Sequence, residues 1–281
     1  MADPDRRILD HPPKKTGGIF DLTKRAIVEL DGFKLLIMLD DNIGRGIYDH
    51  KVHETNVTKA IKETLKPGHT FLDIGANIGY FTMLGAVLVG QTGRVIAVEP
   101  NPQNTQLIFG SIKENGFTTV SVYTVAASDQ TSILALFNAG SNGGVITETM
   151  LRVREPLWEG LADRPFLAQS VRLDDVLANL DRLDVVKIDI EAHEPQALRG
   201  MAGLIERHRP IIFTEFHPWA LQRMSPFPPE NYLNQIQSLG YSMTILARDG
   251  SVAVDCSPDE IMSRWRAQDD AKVHFDLRAT P

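Results

Sequence analysis

From Thr70 onward the chain alternates short apolar runs with longer mixed stretches. Thr70 to Ile74, Arg94 to Glu99, Thr119 to Val125, Asp184 to Asp189 and Pro210 to Glu215 read as strands. Gly79 to Val89, Gln103 to Asn115, Pro195 to Arg207 and Pro229 to Ser238 read as the helices between and after them. This rhythm predicts βαβ units, a parallel sheet and right-handed crossovers. Tyr241 to Ala247 and Val252 to Asp255 read as a closing hairpin. Pro258 to Gln268 reads as a C-terminal helix with Trp265 on its apolar face. Upstream, two apolar runs flank Asp31-Gly32, a strong short-range hairpin signal. Glu54 to Leu65 then reads as a helix stopped by Pro67-Gly68. The expected organisation is a flexible arm (1–18), a hairpin and helix extension (19–66), a sheet domain (67–255) and a C-terminal helix and tail (256–281). Residues 128–170 break the rhythm and read as an insertion near the site.

Composition narrows the function classes. The 281 residues carry 29 basic and 36 acidic side chains, a net charge of −7. That balance argues against a nucleic-acid binder working through a broad basic face, and it supplies no polybasic membrane anchor. No apolar run approaches the roughly 18 residues a membrane helix needs. The polar N-terminus does not read as a secretory signal. Cys256 is the single cysteine, so no internal disulfide can form, which fits a reducing compartment. The expectation is a cytoplasmic protein acting on a small molecule, with a homo-oligomer left open.

The chemistry concentrates in Asp73-Ile74-Gly75-Ala76-Asn77-Ile78-Gly79, a strand, tight turn and helix start. Gly75 and Gly79 permit a sharp turn and close approach of a ligand, and Asn77 tolerates positive φ. Glu99 ends the next strand, 20 residues after Gly79. A carboxylate there can accept both ribose hydroxyls of a nucleoside. The spacing departs from the G-x-G-x-x-G of dinucleotide sites. Asp73, just before the turn, would repel a pyrophosphate and attract a sulfonium or ammonium. These features favour S-adenosylmethionine (SAM) over NAD.

With Val98-Glu99-Pro100-Asn101-Pro102, that loop resembles the FkbM family of SAM-dependent methyltransferases. Lys187-Ile188-Asp189-Ile190-Glu191-Ala192-His193-Glu194 is similar to the family's K-I-D-x-E-G-x-E motif, with Ala192 in place of the usual glycine. Arg172-Leu173-Asp174-Asp175 and Glu215 also match. The resemblance implies an α/β class I (Rossmann-like) sheet of seven strands, mostly parallel with the last antiparallel, and helices on both faces. It implies O-methylation of a hydroxyl on a sugar or secondary metabolite. Glu54, which resembles the family's acidic helix start, becomes a candidate for the methionine ammonium, and Ala126 for the adenine frame. Asp73, Gly75, Asn77, Gly79, Glu99, Asn101 and Asp189 complete the expected cofactor set.

Asp189, Glu191, His193 and Glu194 crowd one strand end, and Glu215 and His217 the next. Asp189, His193, His217 and Glu215 are the candidate catalytic groups, with His217 the preferred base because its ordinary pKa suits proton transfer near neutrality. Glu194 reads as a cap of the following helix. Asn142, within the insertion, and Glu191 are candidates for acceptor binding. A divalent ion on Asp189 and Glu215 is the less favoured arrangement, because no dense carboxylate run accompanies them. Two rivals share the same sheet: an NAD-type oxidoreductase and a non-catalytic nucleoside-binding module.

Overall fold

The computed structural model describes residues 24–148, 165–247 and 254–281. The arm expected at 1–18, the Trp158 stretch of the insertion and Val252 of the closing hairpin lie outside the described residues. In chain order the elements are β1 (Arg25–Leu30), β2 (Phe33–Met38), α1 (Asn42–His50), α2 (Thr55–Thr64), β3 (Thr70–Ile74), α3 (Tyr80–Val89), β4 (Arg94–Val98), α4 (Pro102–Asn115), β5 (Val120–Tyr123) and β6 (Ala126–Ala127). Then follow β7 (Ser132–Ala139), β8 (Asn142–Val145), β9 (Phe166–Val171), α5 (Leu173–Val176), β10 (Val185–Ile188), α6 (Glu194–Gly200), α7 (Ala202–His208) and β11 (Ile211–Phe216). The chain closes with α8 (Pro218–Met224), α9 (Pro229–Ser238), β12 (Ser242–Leu246), β13 (Val254–Cys256), α10 (Pro258–Arg266) and β14 (Phe275–Thr280).

The main sheet has the order β13-β12-β14-β11-β10-β3-β4-β5. The five strands from β11 to β5 are parallel, and β14 runs antiparallel to both its neighbours. Eight strands are present where the resemblance implies seven; the additional one is β13, an edge strand paired antiparallel with β12. Residues expected to be a tail supply β14, which sits inside the sheet between β11 and β12. Its alternation of buried and half-buried positions had been too short to stand out beside the helix before it.

Both sheet faces are covered. Along β4, Val95 and Ala97 point into one core cluster, and Ile96 and Val98 into the other. The first cluster includes α3, α4 and the β1–β2 hairpin; the second includes α6 to α10. The hairpin forms around Asp31-Gly32, with Gly32 at φ 87°. It docks on α4 through its backbone: Leu36 N–H donates to Ser111 Oγ at 2.9 Å, and Asn115 bonds both backbone groups of Lys34 at 2.7 and 2.6 Å.

Part of the stretch expected to be an irregular insertion is a second sheet, β6-β9-β7-β8. The apolar run Ile133 to Phe137 lies in β7, with Ile133 exposed and Leu136 and Phe137 buried. The helix expected over Pro195 to Arg207 breaks between α6 and α7. At that break a Cβ on Gly200 would lie 1.9 Å from the Ser128 carbonyl oxygen, so the helix end packs directly on the backbone after β6. Helices α1 and α8 were not anticipated; Gly44 and Gly46 in the first disguise it as a loop.

β14 exchanges ladder bonds with two strands, five paired positions on each side. Truncation after Lys272 should therefore abolish cooperative thermal unfolding. Circular dichroism on the truncated chain tests this, and a sharp transition at the intact chain's midpoint would contradict it.

Candidate active site

The loops following β3, β4, β10 and β11 surround a cavity of about 560 Å³, a size typical of small-molecule sites. Gly75 is required at its floor. It has φ 81°, and a Cβ there would lie 1.8 Å from the Asp189 carbonyl oxygen, so the β3 and β10 turns touch backbone to backbone. Its N–H donates to Val98 O at 2.9 Å. Asn77 has φ 51°, and its side chain reaches out of the loop to bond Asn142 at 2.8 Å. Gly75, Asn77, Glu99, Asn101, Ala126, Asn142, Asp189, Glu191, His193, Glu215 and Glu54 all line the cavity, so the structure brings most of the expected site together. Asp73, Gly79 and His217 do not line it.

Glu99 is buried. It accepts from the Asn77 and Asn101 backbone N–H groups, each at 2.9 Å, and from the Asn104 amide at 3.3 Å. Burial pushes its carboxyl up to about 7, against the pull of those three donors. A carboxylate offers about four lone-pair sites, so these donors leave room for roughly one more, on Oε2. The sequence expectation of two ribose hydroxyls on Glu99 alone is therefore corrected to one.

Behind the glycine loop lies a buried cation that the sequence reading gave no role. The Lys187 ammonium bonds Asp189 at 2.7 Å, lies 3.7 Å from Glu54 and sits 4.6 Å from the centre of the Phe81 ring. Burial alone would lower its pKa, but Asp189 and Glu54 outweigh burial and hold it above the ordinary lysine range. Asp189 is held below the ordinary carboxylate value: burial opposes ionisation, and Lys187 overcomes it. Asp73 pairs across the sheet with Lys187, and its Oδ2 accepts from Thr82 Oγ at 2.6 Å. Burial raises it to about 6, with Lys187 opposing. Its expected contact with the cofactor is corrected: its side chain is bonded to Thr82 of α3 and does not line the cavity. Glu54 precedes α2 with φ 41° and stands 3.4 Å from His53, another cavity residue that the sequence reading passed over. Burial and then Lys187 lower His53 to about 4.

At the other end of the cavity, Glu191 and Ala192 follow one another at φ 54° and 69°. The left-handed region costs a side-chain-bearing residue roughly 1–2 kcal/mol, which accounts for the glycine usual at the second position. Glu194 fastens this turn by accepting the Ile190 N–H at 2.9 Å; the cap expected of it is corrected, since it is the first residue of α6 and His193 stands at the N-cap. Burial raises Glu194 to about 8; burial and then Asp189 raise Glu191 to about 7. Glu215 bonds His274 at 3.1 Å and is raised well above its ordinary value by burial and then by Asp189 and Glu191. His193 bonds Ser128 at 3.0 Å beside β6, on the expected adenine side, and burial lowers it to about 4. Asp129 is turned away to Arg199, at 2.6 Å.

His217 is the principal correction. Pro218 opens α8, so His217 is its N-cap: the ring Nδ1 accepts the Ala220 N–H at 3.3 Å. The ring also stacks on His274, centroids 5.5 Å apart. His274, just before β14, occupies the cavity position expected of His217, and no local pattern in the sequence announces it. Among the described residues no group of three or more His, Cys, Asp or Glu side chains is arranged to hold a metal ion. No helix among them is long and apolar enough to cross a membrane.

The donor set fits SAM. A buried carboxylate keeps one acceptor site for a ribose hydroxyl, and Glu54 and Asp189 offer anions to a cationic ligand. Residues 73–243 match the methyltransferase FkbM domain. Over 53 residues the chain is 43% identical to protein-L-isoaspartate O-methyltransferase 1 of Arabidopsis thaliana, a stretch covering 19% of this chain and 22% of that protein. Methyltransferase FkbM of Methylobacillus flagellatus KT is 18% identical, with a TM-score of 0.46; the match covers 79% of this chain and 50% of that one, so the chain spans about half of that relative. Aeropyrum pernix fibrillarin, solved with natively bound SAM, is 9% identical with a TM-score of 0.46, covering 91% of this chain and 99% of that one. The family match extends over more than half of the sequence, from the β3 acid to the start of β12, and the chain belongs to the methyltransferase FkbM domain family.

Proposed function

We propose that this chain transfers the methyl group of SAM to a hydroxyl of a small polar acceptor, a sugar or a secondary metabolite. The observation that carries the reading is the placement of Glu191, Glu215 and His274 on the same cavity as the glycine loop and Glu99. Family membership favours it over an NAD-type oxidoreductase or a non-catalytic nucleoside-binding module. SAM, when bound, supplies a methyl carbon activated by its sulfonium. The remaining work falls to the chain. Glu99 fixes the ribose, and Glu54 and Asp189 face the positive end of the donor. The acceptor oxygen must be held in line with the methyl carbon, and such orientation can supply roughly 7–11 kcal/mol. The hydroxyl proton released as the methyl is accepted, with sulfur keeping the leaving electron pair, would pass to Glu191. A carboxyl poised near the working pH suits that task, and a strained backbone at Glu191 is of the kind found where function fixes geometry. Glu215, held by His274, orients the acceptor. The groups that could ligate a divalent ion are already engaged, Asp189 by Lys187 and Glu215 by His274, and we read the transfer as metal-independent.

Glu99→Ala should weaken S-adenosylhomocysteine binding by about 1.5–3 kcal/mol, the scale of hydrogen bonds to a charge. Calorimetry showing unchanged affinity would remove Glu99 from the site. Glu191→Gln should lower kcat by roughly 10²–10⁴ while that affinity stays within a few-fold. Release of S-adenosylhomocysteine against a panel of sugars and polyhydroxylated metabolites reads this, with EDTA expected to change nothing. Full turnover by the variant would exclude Glu191 as the base, and turnover on amines alone would overturn the hydroxyl assignment.

The same carboxyls predict a pH dependence. Glu99 and Glu191 near 7, and Glu194 near 8, hold protons more tightly folded than unfolded, where the value is about 4.5. Their contribution to stability is complete below the unfolded value and is lost as pH rises through 7 and 8. His53 and His193, lowered from 6.5 to about 4, act oppositely, but only between those values. The melting temperature of the unliganded chain should therefore fall between pH 6.5 and 8.5, and SAM should flatten that fall more than the uncharged sulfur of S-adenosylhomocysteine. A midpoint rising across this window would contradict the burial of these acids.

A further inference from the structure

We propose that Asp41 is a positioning residue for the cofactor pocket, clasping the tip of the β7–β8 hairpin and through it holding the glycine loop. The inference rests on the reading of the Glu99 side of the cavity as the cofactor site. Asp41 is 5% exposed and caps α1, its Oδ2 accepting the Gly44 N–H at 2.9 Å. Capping needs one acceptor, and Ser or Asn would serve as well. The carboxylate does more: Oδ1 accepts the Ser141 N–H and Oδ2 accepts the Ser141 hydroxyl, both at 2.8 Å, across 100 residues of sequence. The turn is shaped to that carboxylate. Gly140 has φ 77°, and a Cβ on it would stand 2.6 Å from Asp41 Oδ1.

From Ser141 the contacts lead directly to the Glu99 side. The Ser141 carbonyl accepts the Asn104 amide at 2.8 Å, and the same amide donates to Glu99 at 3.3 Å. Asn142 Oδ1 accepts the Asn77 amide at 2.8 Å, and the Asn77 backbone N–H donates to Glu99. Asn138 accepts the Asn101 amide at 3.3 Å, and the Asn101 N–H also donates to Glu99. Each of the three donors that set the Glu99 carboxylate thus belongs to an asparagine whose side chain is tied to the hairpin, and the hairpin tip is tied to Asp41. Ser141 and Asn142 themselves line the cavity. The N-terminal extension is thereby a working part of the cofactor pocket.

The test compares Asp41→Asn, which keeps an acceptor for the α1 cap, with Ser141→Ala, which removes one clasp bond and leaves that cap intact. Each should weaken S-adenosylhomocysteine binding about fivefold to thirtyfold by calorimetry, the effect of losing one or two kcal/mol. KM for SAM should rise, with kcat at saturating SAM retained. Because the effect travels through Asn77 and Asn104 together, each variant should lose much of its effect in an Asn77→Ala/Asn104→Ala background. A purely structural role would lower the melting temperature and leave affinity unchanged well below it. Unchanged affinity in both variants, or effects that add fully to the Asn77→Ala/Asn104→Ala double variant, would overturn the clasp. If Glu99→Ala weakens binding while both clasp variants do not, the clasp alone fails. If the intact chain binds no S-adenosylhomocysteine, the cofactor reading fails with it.

Discussion

A lysine ammonium buried in the middle of a parallel sheet is untenable unless anions surround it, and Lys187 on β10 is such a group. Asp189 comes from its own strand end, Asp73 from the neighbouring strand, and Glu54 from the head of α2; Phe81 of α3 offers the face of its ring. The need to surround one charge therefore ties the central strands to the N-terminal extension. It also fixes which acids are spoken for. Asp189 is held ionised by its partner, whereas in Glu191 burial and Asp189 outweigh the pull of Lys187 and raise the carboxyl to about 7, and Glu215 is raised well above its ordinary value.

The parts of the site that follow a local rule could be read from the sequence. The β3–loop–α3 unit, the acid after β4 and the crowded end of β10 each lie within a dozen residues, and backbone geometry converts such spacing into position. The His217 assignment failed although the correcting signal was present: a proline at the first helical position makes the residue before it an N-cap. Asp73 failed for a related reason. Along a strand buried on both faces, the residue before the turn belongs to one face or the other, and here the face is that of Lys187.

Other features were illegible because they are made by packing. His274 lies 85 positions beyond Asp189, and only the insertion of β14 between β11 and β12 delivers it to the cavity. Asp41 is the second of two acids after β2, and its role depends on a glycine-serine turn a hundred residues away. The second sheet has an apolar run in β7, Ile133 to Phe137, but its partner β8 begins Asn142-Gly143-Gly144, a turn-like sequence that hides the pairing. Chemistry placed by tertiary contact leaves little trace in the pattern of a single chain.

The position of β14 also governs the order in which the protein can be finished during synthesis. β11 and β12 both emerge before the strand that separates them, so neither can complete its ladder when made. Long-range pairings of this kind are slow to form, and unpaired edges are exposed while they wait. Until β14 enters, Glu215 has no His274, and Asn56 of the extension has no Asp276, which it bonds at 2.7 Å in the finished fold. A nascent chain can thus assemble the glycine loop and the Glu99 side well before its acceptor side exists. On the proposed reaction, donor binding competence should precede transfer competence on the ribosome, because transfer waits for the sheet to close.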